Sequence, residues 1–413
     1  MITTPLYQRC IQPRLLEALA DTPVVLVHGP RQCGKTTLAR TVGDAAGYVY
    51  YTFDDDVLCA AASEDPVGFV ADLPGRVILD EVQRVPKLFT SIKAAVDRDR
   101  VPGRFILTGS ANVLLLPDLA DSLAGRIEIL RLHPLAQAEL SKNTPDFLDA
   151  LFHGALKGAS RPRLGKELAE RIVAGGYPSA LLRSSARRRL AWYRDYIEAL
   201  VQRDARHLAR ISAMDALPRL LSLAAGQTAR LINVADLAAP FQLTRPTIRE
   251  YVTLLSRLFL LEELPPWHSN RLSRLIKTPK LHLGDTGVAC ALLGINAEAL
   301  ASDRMRLGQL LETFVFQELR RQASWHEEAV AFYHFRDKDG VEVDIVLEGS
   351  GQRLAGVEVK ASATVTAADF KGLRKLKEAV SERFAAGVVL YDGEATVSFG
   401  EGLFAVPISR LWV

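Results

Sequence analysis

The feature of this chain that most constrains its fold is a short apolar run that leads directly into a loop containing two glycines. Residues 23–28, PVVLVH, have the β-branched composition of a buried strand, and residues 29–36, GPRQCGKT, follow without a break. The loop matches the pattern G-x-x-x-x-G-K-[ST], in which glycines let backbone N–H groups approach phosphate oxygens. A chance match would not be expected to have a strand before it and a helix start after it. The pattern therefore predicts a strand, a phosphate-binding loop and a helix, as in an α/β domain.

The residues of this loop have predicted tasks at a bound nucleotide. Lys35 is expected to reach the β- and γ-phosphates of ATP, and the Thr36 hydroxyl is expected to ligate Mg²⁺. Lys35 is also a candidate catalytic residue, because its charge faces the phosphoryl group that is transferred. The predicted nucleotide-binding residues of the loop are Gly29, Pro30, Arg31, Gln32, Cys33, Gly34, Lys35, Thr36 and Thr37.

A second signal lies about forty residues downstream of the loop, where an apolar strand ends in two acidic residues. In the segment RVILDEVQ, Asp80 and Glu81 directly follow the apolar residues 77–79. Asp80 is predicted to hold the water shell of Mg²⁺, and Glu81 is predicted to orient and deprotonate the attacking water. An Asp-Glu pair alone is a weak signal, but the strand before it and the loop upstream make it a specific one.

A third apolar strand, in RFILTGSAN, also ends in polar residues. In P-loop ATPases with an additional strand this strand lies between the other two, so a polar side chain at its end can sense the γ-phosphate. Ser110 or Thr108 is the candidate sensor, although Thr, Gly and Ser are also ordinary turn residues. Arg126, in LAGRIEILRLHPL, is either an arginine finger that stabilises transition-state charge or a surface arginine.

Several segments together resemble one known family. GPRQCGKTT, YTFDD, VILDEVQRVP, FILTGS and LAGR are similar to parts of the predicted bacterial and archaeal AAA-type ATPases whose C-terminal region is a domain of unknown function. The resemblance continues through AGGYP at 174–178, the segment 190–211 and LHLGDTGVACALLG at 281–294, and so spans nearly the whole chain. It implies a nucleotide-binding domain followed by a winged-helix-like part and a nuclease-like part.

Length and composition indicate a protein of more than one unit. A chain of 413 residues exceeds the roughly 250–300 residues of a single hydrophobic core, so about two to four units are expected. Hydrophobic residues make up 48% and charged residues 24%, the balance of an ordinary globular protein. The four cysteines form no C-x-x-C pair, and we find neither a signal-peptide pattern nor an apolar run of about 18–20 residues. The expected location is the cytoplasm, with no membrane partner.

Positive charge concentrates in the middle of the chain, although the net charge of the whole is only +3. Residues 161–280 carry 21 Lys and Arg against 10 Asp and Glu. Within them, residues 230–264 have the pattern of two helices joined by a short turn, with Arg245, Thr247 and Arg249 near the start of the second helix. This pattern is typical of helix-turn-helix and winged-helix modules, which contact DNA or dock proteins. DNA is the predicted partner, and protein docking is the alternative.

Local residues also predict where these helices begin. Asn233 is expected to cap the first helix and Thr244 the second. The predicted buried stripe of the second helix consists of Ile248, Tyr251, Val252 and Leu255.

A basic run, Arg187, Arg188 and Arg189, precedes this region and opens the segment 190–211, which has apolar residues at helical spacing. These arginines either contact phosphate groups of DNA or simply face solvent.

The last part of the chain predicts the order helix, strand, strand, strand, helix, strand, which resembles the restriction-endonuclease-like core. The D…ExK signature of that core would consist here of Asp344, Glu358 and Lys360, with Glu312 on the preceding helix as an extra acid. The proline that usually precedes the first acid is replaced by Val343. Asp344, Glu358 and Lys360 are therefore candidate catalytic residues of a nuclease.

Alternation along VEVDIVL leaves two interpretations of this segment open. Residues 342, 344 and 346 would share one face of the strand, and one register brings Asp344 next to Glu358 and Lys360. Glu312, Asp344 and Glu358 would then bind a second metal ion, Mg²⁺ or Mn²⁺, in a site that cuts phosphodiester bonds. The alternative is an exposed hairpin stabilised by Glu and Lys pairs across its strands.

The sequence thus predicts an α/β protein with an N-terminal P-loop NTPase domain of the additional-strand AAA type, a helical and winged-helix region, and a restriction-endonuclease-like domain. The predicted parts are an ATPase domain at 1–140, a basic connector at 141–215, a winged-helix-like domain at 216–290 and a nuclease-like domain at 291–413. The predicted function is Mg²⁺-dependent ATP binding and hydrolysis coupled to DNA binding or processing, with a metal-dependent nuclease site at the C-terminus as a further candidate activity. ATP and DNA are the predicted partners, and a second copy of the chain is a candidate partner. The alternative is a nucleotide-gated protein-interaction switch with a non-catalytic C-terminal domain.

Overall fold

The computed structural model describes residues 7–110, 123–156, 160–204, 216–241, 243–269 and 278–413. The chain divides into two compact units. The first unit is Met1–Leu135 with Arg257–Phe259, and the second is Ala136–Ser256 with Leu260–Val413. The four domains proposed from the sequence stay a prediction.

A parallel five-stranded sheet forms the centre of the first unit. Its strands are β1 (Val24–His28), β2 (Val49–Thr52), β3 (Val77–Asp80), β4 (Phe105–Gly109) and β5 (Ile127–Arg131). Their order is β2-β3-β4-β1-β5, and every neighbouring pair is parallel. Strand β4 lies between β1 and β3, as predicted. Because parallel strands end at the same edge of a sheet, the polar residues that follow β1, β3 and β4 meet there.

Helices accompany this sheet along the chain. They are α1 (Gln12–Asp21), α2 (Lys35–Ala45), α3 (Asp56–Glu64), α4 (Pro66–Ala71) and α5 (Leu88–Arg98). All five residues of β1 are buried, as a strand in the middle of a parallel sheet requires. Helix α2 buries Leu38, Ala39 and Val42, so its spacing of apolar residues presents one side to the core.

The first half of the second unit is mainly helical. Its helices are α6 (Gln137–Ser141), α7 (Phe147–Phe152), α8 (Lys166–Ala174), α9 (Pro178–Leu181), α10 (Ala186–Ala199), α11 (Ala216–Gly226), α12 (Val234–Ala238), α13 (Arg245–Arg257), α14 (Thr286–Leu293) and α15 (Ala297–Ser302). A three-stranded antiparallel sheet accompanies them, with strands β6 (Arg230–Leu231), β7 (Leu261–Leu264) and β8 (Lys280–Leu283) in the order β6-β8-β7.

The helix starts and the buried stripe predicted for this region are present. The Asn233 side chain accepts hydrogen bonds from the first turn of α12, and the Thr244 hydroxyl accepts one from the Thr247 N–H at 3.3 Å in α13. The four stripe residues of α13, namely Ile248, Tyr251, Val252 and Leu255, are all buried. The assignment of these elements to a winged-helix fold stays a prediction.

The last part of the second unit has the predicted order of elements. These are α16 (Arg304–Ala323), β9 (Ala331–Arg336), β10 (Glu342–Glu348), β11 (Leu354–Lys360), α17 (Lys371–Val380) and β12 (Phe384–Tyr391), followed by β13 (Val397–Ser398) and β14 (Leu403–Pro407). The six strands form one mixed sheet in the order β13-β14-β12-β11-β10-β9. Helix α17 crosses β10 so closely that a Cβ atom at Gly372 would lie 1.9 Å from the Glu342 carbonyl oxygen.

The strict alternation predicted along β10 is wrong at one place. The register between β10 and β9 shifts between Val343 and Val346, and Val346 is fully buried instead of sharing the partly exposed face of Asp344. A β-bulge of this kind adds a residue to one strand, so side chains beyond it change face. Assignment to the restriction-endonuclease-like fold stays a prediction.

Candidate active site

The loop between β1 and α2 has the backbone geometry that its glycines allow. A Cβ atom at Gly29 would lie 2.1 Å from the Leu132 carbonyl oxygen, so no larger residue fits there. Gly34 has φ +103°, a conformation that side chains disfavour, at the position immediately before α2. The two glycines thus allow the close approach and the left-handed backbone through which the loop reaches the start of α2, as in loops whose backbone N–H groups bind phosphate.

Two buried side chains hold this loop. The Lys35 ammonium donates to the Pro30 carbonyl at 2.9 Å, inside the curve of the loop. The Cys33 thiol is fully buried and donates to the Leu132 carbonyl at 3.5 Å, and burial raises its pKa. Lys35 thus lies where a phosphate-binding charge is expected, whereas Cys33 packs against the backbone.

An arginine outside the predicted set fixes the same loop. The Arg9 guanidinium donates to the Cys33 carbonyl at 2.8 Å and to the His133 carbonyl at 2.7 Å. It joins the phosphate loop to the segment that follows β5. Nothing near Arg9 in the sequence indicates this role, because both acceptors are backbone atoms far along the chain.

Asp80, at the end of β3, receives hydrogen bonds from three hydroxyl groups. Thr36 Oγ1 lies 3.0 and 3.1 Å from its two carboxylate oxygens, the Tyr50 hydroxyl donates to it at 2.8 Å, and Thr108 also donates to it. The structure thus brings Thr36 and Asp80 together, as the sequence predicted. These hydroxyl and carboxylate oxygens suit Mg²⁺, which prefers few protein ligands and keeps water and phosphate oxygens in its shell.

Tyr50 was not predicted from the sequence. Burial, together with the hydrogen bond to Asp80, raises the pKa of its phenol to about 12, so it stays a hydrogen-bond donor at neutral pH. Tyr50 belongs to β2, which pairs with β3 in the register that places Thr52 beside Asp80. To predict the contact between Tyr50 and Asp80, one would need to know that β2 pairs with β3. The sequence does not show this pairing, because the two strands lie more than twenty residues apart.

Glu81, the predicted base, has a left-handed backbone with φ +56°. Its N–H donates to Thr108 Oγ1 at 3.2 Å, and its carboxylate accepts the Ser110 hydroxyl at 2.7 Å. The Gln83 amide also donates to this carboxylate, and to Ser110 Oγ at 3.0 Å. Ser110 and Gln83 therefore orient the Glu81 carboxylate. Gln83, two residues after the Asp-Glu pair, was missed by the sequence reasoning.

Arg126 forms an ion pair with Asp97 of α5 and donates to the Ala124 carbonyl oxygen at 3.0 Å. The hydrogen bond from Arg126 holds the pKa of the Asp97 carboxyl below its ordinary value. In this arrangement the guanidinium is engaged within its own unit. Its role as an arginine finger stays a prediction.

A second group of charged residues lies in the second unit, around the predicted D…ExK signature. The Lys280 ammonium lies 2.8 Å from Glu312 Oε1 and 3.2 Å from Asp344 Oδ1. The other Asp344 oxygen accepts the Val359 N–H at 3.0 Å. Glu358 Oε1 pairs with Lys360 at 2.9 Å. The predicted residues therefore do lie together, with an unpredicted lysine between two of the acids.

The charges of this group influence one another strongly. Burial and the nearby charge of Asp344 raise the pKa values of both Glu312 and Glu358 to about 8. Burial lowers the pKa of Lys280, but Asp344 and Glu312 outweigh burial and raise it above its ordinary value. Within the part of the chain that the structure describes, no group of three or more His, Cys, Asp or Glu residues is arranged to hold a metal ion. The predicted second metal ion therefore has no support in this arrangement, in which Lys280 contacts two of the three acids.

The sheet order, the phosphate loop and the acidic pair after β3 together define a P-loop ATPase of the AAA type, which binds and hydrolyses ATP. Residues 21–141 match the family described as AAA domain. Residues 165–299 and 307–411 match two domains of unknown function, DUF8612 and DUF4143. None of the helices in the described ranges is both long and apolar enough to cross a membrane.

Two mycobacterial proteins are similar along most of this chain. The uncharacterized proteins Rv2008c of Mycobacterium tuberculosis and Mb2031c of Mycobacterium bovis are each 30% identical over 400 residues, which is 96% of this chain and 83% of theirs. The chain belongs to the family of these proteins.

Solved structures show a more distant likeness. The Walker-type ATPase PABY2304 of Pyrococcus abyssi is 17% identical, with 70% of this chain and 96% of that chain covered and a TM-score of 0.44. The RuvB Holliday junction branch migration motor of Thermotoga maritima is 17% identical, with 62% and 89% covered and a TM-score of 0.29.

Proposed function

We propose that ATP hydrolysis by this chain depends on Mg²⁺ held at Thr36 and Asp80, uses Glu81 as the base, and is coupled to DNA binding by the second unit. The observation that carries the first part is the convergence of three strand ends on Asp80 and Glu81. Support for DNA comes from the concentration of positive charge in residues 161–280.

The chemistry assigns one task to each residue of the centre. The Lys35 ammonium stabilises negative charge on the β- and γ-phosphates. Thr36 and Asp80 supply oxygen ligands for Mg²⁺, which neutralises charge on the phosphate oxygens when it is bound. Glu81 accepts a proton as the water oxygen attacks the γ-phosphorus, and the bond to the β–γ bridging oxygen breaks. Ser110 and Gln83 hold the Glu81 carboxylate in one orientation for this transfer.

Two substitutions test this centre, and they are expected to differ. Lys35→Ala removes the charge that faces the phosphates and is expected to abolish nucleotide binding or turnover. Glu81→Gln keeps the metal ligands and is expected to retain ATP while hydrolysing it at least about 10²-fold more slowly. Binding of a fluorescent ATP analogue and release of phosphate measure the two effects.

Glu64→Gln, which changes an exposed acid of the same unit, is the matched control and should leave both quantities unchanged. Turnover close to that of the unsubstituted chain in both Lys35→Ala and Glu81→Gln would refute the assignment of this centre.

The alternative function is a nucleotide-gated protein-interaction switch with a non-catalytic C-terminal domain. The ion pairs of Lys280 with Glu312 and Asp344 favour a non-catalytic domain, because they engage the acids that a nuclease would use for metal. Metal-dependent cutting of DNA is therefore the weaker hypothesis. ATP turnover measured with and without duplex DNA separates coupling to DNA from the switch, since only coupling to DNA predicts stimulation.

A further inference from the structure

A buried lysine lies among the acids of the second unit. Lys280 begins β8, and its side chain is only 4% exposed. Its ammonium contacts Glu312 at 2.8 Å and Asp344 at 3.2 Å. Burying a charged group is costly unless opposite charges and hydrogen bonds compensate it, so these two contacts are what the ammonium requires there.

Glu358 completes a cluster of three acids, which we call the carboxylate cluster and define as Glu312, Asp344 and Glu358. The Glu358 oxygen that does not contact Lys360 is buried and has no hydrogen-bond partner among the described residues. A buried carboxylate oxygen normally has a partner. This Glu358 oxygen could therefore act as a further ligand to a cation that takes the place of the Lys280 ammonium.

We propose that the Lys280 ammonium takes the position that a divalent cation would occupy between Glu312 and Asp344, so that the chain itself closes an oxygen-ligand cation site. Mg²⁺ binds carboxylate oxygens at about 2.0–2.1 Å and Mn²⁺ also prefers such ligands, so either ion would have to lie between the two oxygens that Lys280 now contacts. Two cations at that spacing repel each other, and only one of them can be present.

The backbone of Lys280 keeps the ammonium in this position. Lys280 pairs with Leu264 of β7 on one side and with Leu231 of β6 on the other, so it lies in the central strand of its sheet. Withdrawal of the side chain would leave Glu312 and Asp344, which are mostly buried, without their shared cation. The closure therefore belongs to the fold of the second unit.

Removal of the ammonium is expected to open the site. Lys280→Met keeps the length of the side chain and removes the charge. In the absence of nucleotide, this variant is expected to bind one more Mn²⁺ per chain than the unsubstituted protein. Its affinity for Mn²⁺ at the carboxylate cluster should be at least about 10-fold higher than that of the unsubstituted protein. Free Mn²⁺ is counted by electron paramagnetic resonance at a series of Mn²⁺ concentrations. Adding Asp344→Asn to Lys280→Met is expected to abolish the additional binding.

Lys371→Met is the matched control, because it removes an exposed lysine of the same unit and leaves Lys280 and the carboxylate cluster in place. It should bind Mn²⁺ as the unsubstituted protein does. Lys280→Met without additional Mn²⁺ binding would overturn the proposal, provided that the variant retains the thermal unfolding transition of the folded chain.

The unsubstituted protein provides a second measurement that does not depend on the folding of Lys280→Met. It is expected to bind Mn²⁺ no better than the single variant Asp344→Asn. If the unsubstituted protein binds Mn²⁺ and Asp344→Asn loses that binding, Lys280 does not close the site and the proposal is wrong.

Discussion

The Asp80 carboxylate shows how one residue depends on donors from one helix and two separate strands. Its oxygens receive hydroxyl groups from Thr36, Tyr50 and Thr108, which belong to α2, β2 and β4. Groups that hydrogen-bond to a metal ligand orient it and commonly affect metal affinity by about 10–100-fold. Tyr50 is therefore a positioning residue for the Mg²⁺ step, although it need not touch the ion.

Tyr50→Phe removes the donor and keeps the ring. We expect the Mg²⁺ concentration that gives half-maximal ATP hydrolysis to rise by about 10-fold, because Asp80 loses a fixed orientation. The KM for ATP at saturating Mg²⁺ should change little. Tyr51→Phe, one residue along the same strand, is the control, and an equal Mg²⁺ requirement in the two variants would contradict the role of Tyr50.

His28, the last residue of β1, makes the first unit sensitive to acid. Burial, reinforced by the charges of Arg131 and Lys35, lowers the pKa of His28 to about 3. In the unfolded chain the imidazole takes up a proton near its ordinary pKa of about 6.5. The unfolded state therefore binds more protons than the folded state below that pH, so the stabilisation is present above about pH 6.5 and is lost as the pH falls towards 3.

His28→Gln is expected to remove this part of the acid sensitivity. Between pH 7 and pH 5, the free energy of unfolding should fall by about 2 kcal/mol more in the unsubstituted protein than in the variant. Chemical unfolding at the two pH values measures the difference. His153→Gln, at an exposed position, should behave as the unsubstituted protein does. Identical pH dependence in His28→Gln and the unsubstituted protein would argue against a buried neutral imidazole.

Residues that interact through a known loop pattern were predictable, whereas residues that meet only through strand pairing were not. The phosphate-loop pattern and the acidic pair after a strand were enough to place Thr36 beside Asp80. Tyr50 reaches Asp80 across the pairing of β2 with β3. Lys280 reaches Glu312 and Asp344 through packing of elements that are distant in the sequence and do not pair as strands. A buried lysine at the start of the apolar segment LHL was the available signal for Lys280, since such a lysine requires an acidic partner.

At the scale of elements, local rules predicted the caps of α12 and α13 at Asn233 and Thr244. Ser185, which was not predicted, caps α10 in the same way by accepting the Arg188 N–H at 3.3 Å. Capping depends on neighbouring residues alone, and therefore can be inferred from sequence. The bulge in β10 depends on how β9 pairs with it, and alternation along one strand carries no information about that pairing.

The start of α10 offers a test of DNA binding by the basic middle of the chain. Arg187 and Arg188 are exposed there, whereas Arg189 is half-buried. Replacing Arg187 and Arg188 by Ala is expected to reduce the steepness of log affinity against log salt concentration by about 0.9 for each phosphate group that the variant no longer neutralises. Fluorescence anisotropy of a labelled duplex at several salt concentrations measures the slope.

The matched control removes two exposed positive charges elsewhere in the second unit, at Lys338 and Arg353. If both double variants change the slope equally, α10 has no special role. If the unsubstituted chain does not bind DNA even at low salt, the basic region serves another purpose.

At the scale of the whole molecule, the sequence predicted more than one unit because of chain length, and two compact units are present. The distribution of charge indicated that a basic region occupies residues 161–280. Composition and charge carry no information about which distant segments pack together, and this is why domain bounds are harder to infer than the phosphate loop.

The four cysteines differ in exposure, and this difference determines which of them thiol reagents can label. Cys33 in the phosphate loop and Cys290 in the second unit are both buried, and burial raises the pKa of Cys290 to about 12. Cys10 and Cys59 are partly exposed, and both belong to the first unit. Because only an accessible thiolate reacts readily with maleimides or mild oxidants, these reagents should modify Cys10 and Cys59 first. A fluorophore can thus be attached to the ATPase unit of the native chain while the buried thiol of its phosphate loop remains unmodified.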